Sequence, residues 1–284
     1  MDEPVAKILP IAHENYDVYN PTIVFKYKEK TLILGRVESR DSEKDSRIVF
    51  FEQSDSGWAP MQNAPSYDLQ DPFIFQIKGK WLLGGVSVNW ETYKFQTEFY
   101  IGDDPLNMTK HLSGPSGMKD IRILELKSGE IAVFTRPQGG IYGKGKIGFC
   151  LIRDLSELTV DLLLNAPLLE DQFGENTWGG VNQAIELDNG KIGVIGHWAW
   201  FEGEKRKYTA IAFELNPLTR ECTKMRIIAK RDQFPAGPAK RPDLEDVIFP
   251  AGLVFDGQTK TATLIAGLSD AQIGSLEIPF PFET

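Results

Sequence analysis

Five times along the chain a polar residue opens a short apolar run, a tight turn follows, and a second apolar run returns to another polar residue. The first pair runs from Asn20-Pro21 to Arg36 and the second from Asp71-Pro72 to Ser87. The third runs from Asp120 to Arg136-Pro137, the fourth from Gly180-Val181-Asn182 to His197, and the fifth from Phe249-Pro250 to Asp270. Each run is of strand length and rich in Ile, Val, Leu and Phe, so each pair predicts a β-hairpin. The turns Lys78-Gly79, Ser128-Gly129, Asn189-Gly190 and Asp256-Gly257 carry residues that tolerate the positive φ of a tight hairpin. A further strand is expected beyond each of the first four hairpins, at residues 48–51, 97–101, 147–152 and 209–214.

The openings Asn20, Asp71, Asp120 and Asn182 stand 51, 49 and 62 positions apart. A four-stranded propeller blade takes about 40–50 residues. The strands are apolar on both faces, as expected of strands packed between neighbouring sheets. A sandwich or an open barrel would also bury such strands, but five similar hairpins at this interval favour radial repetition. The expected fold is therefore all-β, a five-bladed β-propeller forming a single domain over residues 1–284. The segment Val5-Ala6-Lys7-Ile8-Leu9, or the tail Ser275-Leu276-Glu277-Ile278, is expected to complete one blade. Residues 156–164 have a helix-like pattern in isolation, but within this rhythm they are expected to be loop and strand.

Charge narrows the partners. Against 31 Lys and Arg stand 40 Asp and Glu, for a net charge of −9. Duplex-binding domains draw affinity from a basic excess, and none exists here. Neither nucleic acid nor an anionic membrane is an expected partner; a local basic pocket for a small anion is compatible. Cys150 and Cys222 form no paired motif, so reduced, buried thiols are expected. His13, His111 and His197 share no ligand spacing, so no metal is expected. Met1-Asp2-Glu3-Pro4 lacks the basic start and apolar run of a signal peptide, and no apolar stretch reaches the roughly 18 residues of a membrane helix, so a cytoplasmic location is expected.

In a propeller, the start of each innermost strand and the exit of its neighbour lie at one mouth of the central channel. The five openings and exits should then converge. Turns favour Asn and Asp for backbone reasons, and Asp17, Asn20 and Asp71 admit that reading, but turns do not favour Arg, Lys or His. Arg36, Lys119, Arg136 and His197 therefore point to a site. Tyr16, Tyr19, Trp90, Trp178, Trp198 and Trp200 fall near these exits. Core packing is the default for such rings, with sugar stacking the alternative for Trp178 and Trp198.

These segments resemble glycoside hydrolase family 130, the five-bladed-propeller β-mannoside phosphorylases, and more closely glycosyltransferase family 108, first described as a domain of unknown function. The resemblance runs from about Asp17 to Asp270. It is carried by Val18-Tyr19-Asn20-Pro21 with Gly35-Arg36-Val37, by Gln70-Asp71-Pro72-Phe73, and by Lys119-Asp120 with Thr135-Arg136-Pro137. Gly196-His197, Tyr208 before Ala210-Ile211-Ala212, and Phe249-Pro250-Ala251-Gly252-Leu253 with Ser269-Asp270 complete it. The resemblance implies that Asn20, Arg36 and Asp270 hold the hydroxyls of a mannosyl ring; Asp17, Trp178 and Gln183 are further candidate substrate contacts. It implies that Lys119, Arg136, His197 and Tyr208 bind phosphate, and that Asp71 and Asp120 are the catalytic carboxylates. In one respect the chain departs from family 130. Where that family carries its proton donor, this chain reads Leu82-Leu83-Gly84-Gly85-Val86-Ser87-Val88, with no carboxylate. The acid is then expected at Asp71, with Asp120 second.

The implied reaction is inverting phosphorolysis of a β-1,2-mannoside to α-mannose 1-phosphate, and its reverse, with inorganic phosphate as co-substrate and no other cofactor. Manno-oligosaccharides and mannose 1-phosphate are the expected partners, and a homo-oligomer is compatible. Hydrolysis needs two carboxylates, whereas phosphorolysis needs one proton donor and a basic pocket. A propeller hydrolase, with Asp17, Glu175 or Asp246 as base, and a non-catalytic carbohydrate-binding propeller are the competing readings.

Overall fold

The computed structural model describes residues 5–11, 13, 15–255 and 260–283. The described residues form 20 β-strands and one α-helix. Along the chain these are β1 (Ala6–Ile8), β2 (Tyr16–Tyr19), β3 (Phe25–Tyr27), β4 (Lys30–Ser39), β5 (Arg47–Ser54) and β6 (Gly57–Pro60). Next come β7 (Gln70–Ile77), β8 (Lys80–Asn89), β9 (Lys94–Asp104), β10 (Asn107–Ser113), β11 (Arg122–Glu125), β12 (Ile131–Thr135) and β13 (Gly148–Ile152). After α1 (Val160–Asn165) follow β14 (Thr177–Glu186), β15 (Ile192–Glu202), β16 (Lys205–Leu215), β17 (Arg226–Ala229), β18 (Asp246–Val254), β19 (Thr261–Leu268) and β20 (Gln272–Pro279). The all-β expectation holds, and all five hairpins and the four further strands form. No helix among the described residues is long and apolar enough to cross a membrane.

Contacts divide the chain into two compact units. The first holds the described residues of Met1–Phe73, Phe201–Ala210 and Ile228–Pro281. Here β4 pairs antiparallel with β2, β3 and β5, and β5 with β6. Strands β18, β19 and β20 form an antiparallel meander, and β1 adds to its outer edge with Ala6 opposite Leu276. The N-terminal segment and the tail thus complete one sheet together, where the sequence pattern left either to do so. The core of this unit joins Val18, Ile33, Val37 and Phe51 to Ile265 and Ile273.

The second unit holds Ile74–Trp200, Ile211–Ile227 and the described residues of Phe282–Thr284. It contains β8 to β10 with most of β7, in the order β10-β9-β8-β7, then the three-stranded β11-β12-β13, and the β14–β15 hairpin. Its core gathers Phe134, Phe149, Phe173, Val194, Ile211 and Phe213. At the β7–β8 turn Lys78 and Gly79 have φ of 52° and 75°, the handedness a two-residue hairpin needs. The expected turn at Asp256-Gly257 lies outside the described residues.

Two local expectations change. Residues 156–164 contain α1, not a strand, because two N-caps act in succession. Asp154 accepts from Ser156 N and starts a 3-10 turn, and Thr159 Oγ1 accepts from Leu162 N and starts the helix. Cys150 and Cys222 are free thiols but half-buried, not buried; even so, burial pushes each up to about 11.

Phe134 is fully buried, 5.1 Å ring to ring from Phe149. Phe134→Ala should destabilise the protein by about 3–5 kcal/mol. A guanidinium denaturation midpoint that does not move would contradict this packing.

Candidate functional site

Each unit buries one cluster of the sequence-predicted polar residues. In the first unit the β2–β4 ladder sets Tyr19 opposite Arg36, and the two-residue period of a strand places Glu38 on the same face of β4 as Arg36. Arg36 Nε donates to Glu38 Oε2 at 2.9 Å, and Arg36 NH1 to Asp71 Oδ1 at 3.2 Å. Asn20 Nδ2 donates to that same Asp71 oxygen at 2.8 Å. Glu38 is wholly buried and also accepts from Tyr19 OH, Ser46 OH and Lys240 Nζ. The Arg36 guanidinium lies 5.0 Å from the Tyr19 ring centre. Burial works to lower the Arg36 pKa; Tyr19, Asp71, Glu38 and Asp270 outweigh it and hold the group above its ordinary value.

Asp270 sits in the turn between β19 and β20. Ser269 and Asp270 have φ of 53° and 51°, and Ala271 N donates to Leu268 O at 3.0 Å, as in a type I′ turn. Burial raises the Asp270 carboxyl most; Arg36 opposes, and Asp71, Glu38 and Glu43 add to the rise, which reaches about 6. Asp17 lies opposite Glu38 on the β2–β4 ladder but makes its ion pair with Arg40. Arg40 grips both its oxygens, through Nε and NH2 at 2.5 Å each, beside a cavity of about 360 Å³ that Tyr16 and Gln272 also line. Tyr208 lies near the start of β16 in this unit, in parallel register with Val247.

In the second unit Asp120 precedes β11, Arg136 follows β12, Asn182 lies on β14 and His197 on β15. The β14–β15 register passes from Val181 opposite Gly196 to Gln183 opposite Ile195. Asn182 is therefore the extra residue of a bulge, a device that re-aims a side chain. His197 Nδ1 pairs with Asn182 Oδ1 at 2.8 Å. Asp120 Oδ2 lies 3.5 Å from Arg136 NH1 and 3.9 Å from His197 Nε2. Burial would raise the Asp120 carboxyl, but Arg136, half-buried Lys119, His197 and Arg122 outweigh it and hold it at about 2. Burial lowers His197 first; Asp120 opposes, and Arg136, Lys119 and Arg122 lower it further, to about 3. At neutral pH the carboxyl is an ion and the imidazole is neutral. Among the described residues, Asp120 Oδ1 and Asn182 Nδ2 are buried without a hydrogen-bond partner.

Two expectations for this unit are revised. Arg136 does not present an open fork. Its Nε donates to Gly179 O at 2.8 Å, NH2 to Lys144 O at 2.9 Å and NH1 to Gln138 Oε1 at 2.9 Å. Most of its five donors are thus taken, and it acts on an anion chiefly as a charge. An ionised Asp120 is also no proton donor. The rings differ from each other. Trp178 is buried with Lys144 Nζ 4.8 Å from its ring centre, so its face meets a cation. Trp198 packs on the core 6.3 Å from Phe173, ring to ring. Gln183 is half-buried on β14.

In these two clusters the sequence reading missed Glu38, Lys240 and Arg122, which donates to Asn182 O at 3.0 Å. Glu38 and Arg122 each stand two positions from a residue that was found, Arg36 and Asp120, so strand alternation was a usable signal. Lys240, in a loop before β18, had none.

Two outcomes follow from this geometry. His197 takes its proton near 3 when folded but near 6.5 when unfolded, so the unfolded chain binds more protons in that window and acid destabilises the fold. Asp120, at about 2 when folded, adds the same sign below pH 4, whereas Asp270, raised to about 6, opposes it between pH 4 and 6. The melting temperature of His197→Gln should accordingly fall less than that of the wild type between pH 7 and 4.5; an equal fall would refute the burial of a neutral ring. Separately, a Cβ at Gly180 would stand 2.8 Å from Arg136 Cδ and 3.1 Å from His197 Cε1. Gly180→Ala should force one of these two side chains aside and destabilise the protein by about 1–3 kcal/mol while circular dichroism stays native; an unmoved denaturation midpoint would contradict this packing.

The family model described as a protein of unknown function, DUF1861, matches residues 6–284. No curated protein matches the chain. A mannose phosphorylase from Leishmania mexicana, solved in complex with phosphate ion, is 34% identical; the match covers 95% of this chain and 86% of that one, with a TM-score of 0.89. A GDP-Man-dependent mannosyltransferase from Leishmania mexicana is 31% identical, with 98% and 90% covered and a TM-score of 0.90. A β-1,2-mannobiose phosphorylase from Listeria innocua shares the fold at 15% identity, with 96% and 94% covered and a TM-score of 0.68. The chain therefore belongs to the DUF1861 family, and it is similar over nearly its whole length to a phosphorylase and a transferase of mannose.

Proposed function

We propose that the chain is a mannoside phosphorylase, a single-domain five-bladed propeller that cleaves β-1,2-linked manno-oligosaccharides with inorganic phosphate and runs the reverse transfer from mannose 1-phosphate. The observation that carries the proposal is the second-unit cluster. Arg136, Lys119 and Arg122 surround one buried carboxylate, and Asn182 Nδ2, a buried donor, has no partner among the described residues. That excess of positive charge suits a small anion in an otherwise acidic protein. The 34% identity to a mannose phosphorylase supports the same reading.

Asn20, Arg36 and Asp71 are assigned to the hydroxyls of the mannosyl ring. Asp71 Oδ1 is held by Asn20 and Arg36, and none of the described residues bonds its Oδ2. Lys119, Arg136 and His197 are assigned to phosphate. The proton donor, expected at Asp71, is reassigned to Asp270, because a carboxyl near 6 keeps a useful fraction of its proton at working pH. In the forward step a phosphate oxygen bonds to the anomeric carbon with inversion. The bond from that carbon to the departing sugar breaks, and the Asp270 proton goes to the departing oxygen. One acid suffices, because phosphate arrives as an anion and needs no base.

The test is phosphate release from mannose 1-phosphate with mannose or β-1,2-mannobiose as acceptor, beside GDP-mannose as the competing donor. Release with chain growth is expected in the wild type and should be lost in Arg136→Ala. Turnover by Asp270→Asn should drop about 10²–10⁴-fold. Forward phosphorolysis should decline as pH rises above about 6, where Asp270 loses its proton. Growth from GDP-mannose alone would replace the phosphorylase reading with a nucleotide-sugar transferase; full activity in Asp270→Asn would remove that residue as the acid.

A further inference from the structure

The second-unit cluster contains an element that binding an anion does not by itself require. An oxyanion site needs donors, yet Asp120, an acceptor, is buried within this one. Its Oδ2 is balanced by Arg136 and faces His197. Its Oδ1 is buried and accepts nothing from the described residues. The backbone there has φ of 57°, a conformation non-glycine residues hold at a cost and retain mostly where surroundings enforce it. Asn182 Nδ2 is likewise buried without a partner, and the bulge in β14 aims that side chain. The cluster thus offers one unanswered donor and one unanswered acceptor, both on side chains more than nine-tenths buried.

An ionised carboxylate accepts hydrogen bonds and donates none. A ligand that satisfies Asp120 Oδ1 must bring a hydrogen of its own. Inorganic phosphate keeps at least one P–OH throughout the neutral range, and sulfate keeps none. Resting on the phosphate assignment above, we infer that Asp120 is a specificity residue: Oδ1 accepts the P–OH of hydrogen phosphate while Asn182 Nδ2 donates to an ionised phosphate oxygen, so the site admits inorganic phosphate and rejects sulfate. Sulfate of the same size and shape would set an unprotonated oxygen against a buried carboxylate. Leaving that charged acceptor unpaired should cost sulfate about 100-fold or more in affinity. The Asp120 carboxyl, held at about 2, stays ionised wherever the enzyme is folded, so the discrimination persists across the neutral range.

Isothermal titration calorimetry of the full chain at pH 7.5 tests this with sodium phosphate, sodium sulfate and mannose 1-phosphate. The wild type should bind phosphate at least about 100-fold more tightly than sulfate. In Asp120→Asn the ratio should fall below about tenfold, because an amide can donate to a fully deprotonated oxygen. Comparable affinities of the wild type for the two anions overturn the inference whether or not the variant folds. An unchanged ratio in a folded Asp120→Asn overturns it as well. Binding of mannose 1-phosphate without inorganic phosphate would also overturn it, moving the site to a phosphoryl ester. If the wild type binds none of the three, the phosphate assignment itself fails. Sulfate binding as well as phosphate leaves that assignment standing and removes only the role of Asp120.

Discussion

A charge buried on a strand face is tolerable only if its partners arrive in the same layer. Glu38 is wholly buried, and an isolated carboxylate there would cost several kcal/mol even after relaxation. Arg36, on its own strand face, Tyr19 on the paired strand, Ser46 just before β5 and Lys240 from a distant loop all donate to it. The arrangement of the first unit follows from that requirement. Removing Arg36 would take a cationic donor from both Glu38 and Asp71, leaving Lys240 on the first and Asn20 on the second. A measured loss of activity at Arg36 or Glu38 would not separate the fold from the site.

The second constraint is in the backbone. Asn20, Asp71, Asp120 and Asp270 all have φ between 42° and 57°. In that region Asn and Asp are the residues an L-chain accepts with least strain, since their short polar side chains hydrogen-bond locally. Three of the five openings, and the exit of the fifth repeat at Asp270, therefore take one of these two residues for conformational reasons, and each such residue also carries a polar group. Function needs no extra residues here; it uses those that the turns already demand. The fourth opening reaches the same end differently, with Asn182 on a β-bulge and no positive φ among its site atoms.

This dual use explains what was legible in the sequence. The hairpins were legible because strand-length apolar runs alternate with turn residues at a regular interval, and β1 was legible as an edge. The helix α1 was not, because the repeat predicts loop and strand there, and the signals that start the helical stretch are the caps Asp154 of the 3-10 turn and Thr159 of α1. At the site, Asn20, Arg36, Asp71, Asp120, Arg136 and His197 were visible as polar breaks at strand ends. Glu38 and Arg122 were hidden inside the strands, where a charge looked like an interruption of the apolar pattern. Lys240 was invisible because only the tertiary fold brings its loop to Glu38. Chemical state was beyond the sequence altogether. Asp71, Asp120 and Asp270 look alike as letters, and the neighbours of each decide that Asp120 is held near 2 and Asp270 near 6.

The two clusters differ in how completely the protein answers its own charges, and that difference bears most directly on function. Glu38 itself is answered by four donors, which is what a structural ion pair requires, although Asn20 Oδ1 in the same cluster is buried without a partner among the described residues. Around Asp120 the balance is left open: one carboxylate oxygen and one amide nitrogen are buried without partners, while the cations outnumber the anion. A protein that only needed stability would have closed that gap or filled the space with apolar side chains, which is often the more stable solution. A gap of defined polarity, flanked by Asp120 at a turn and Asn182 on a bulge, is instead the form of a site completed by its ligand. The same reasoning separates charge from shape. Arg136 is pinned by Gly179, Lys144 and Gln138 before any ligand arrives, so it supplies field with little reorganisation. In the proposed phosphate site, recognition of the anion would then fall to Asp120 Oδ1 and Asn182 Nδ2.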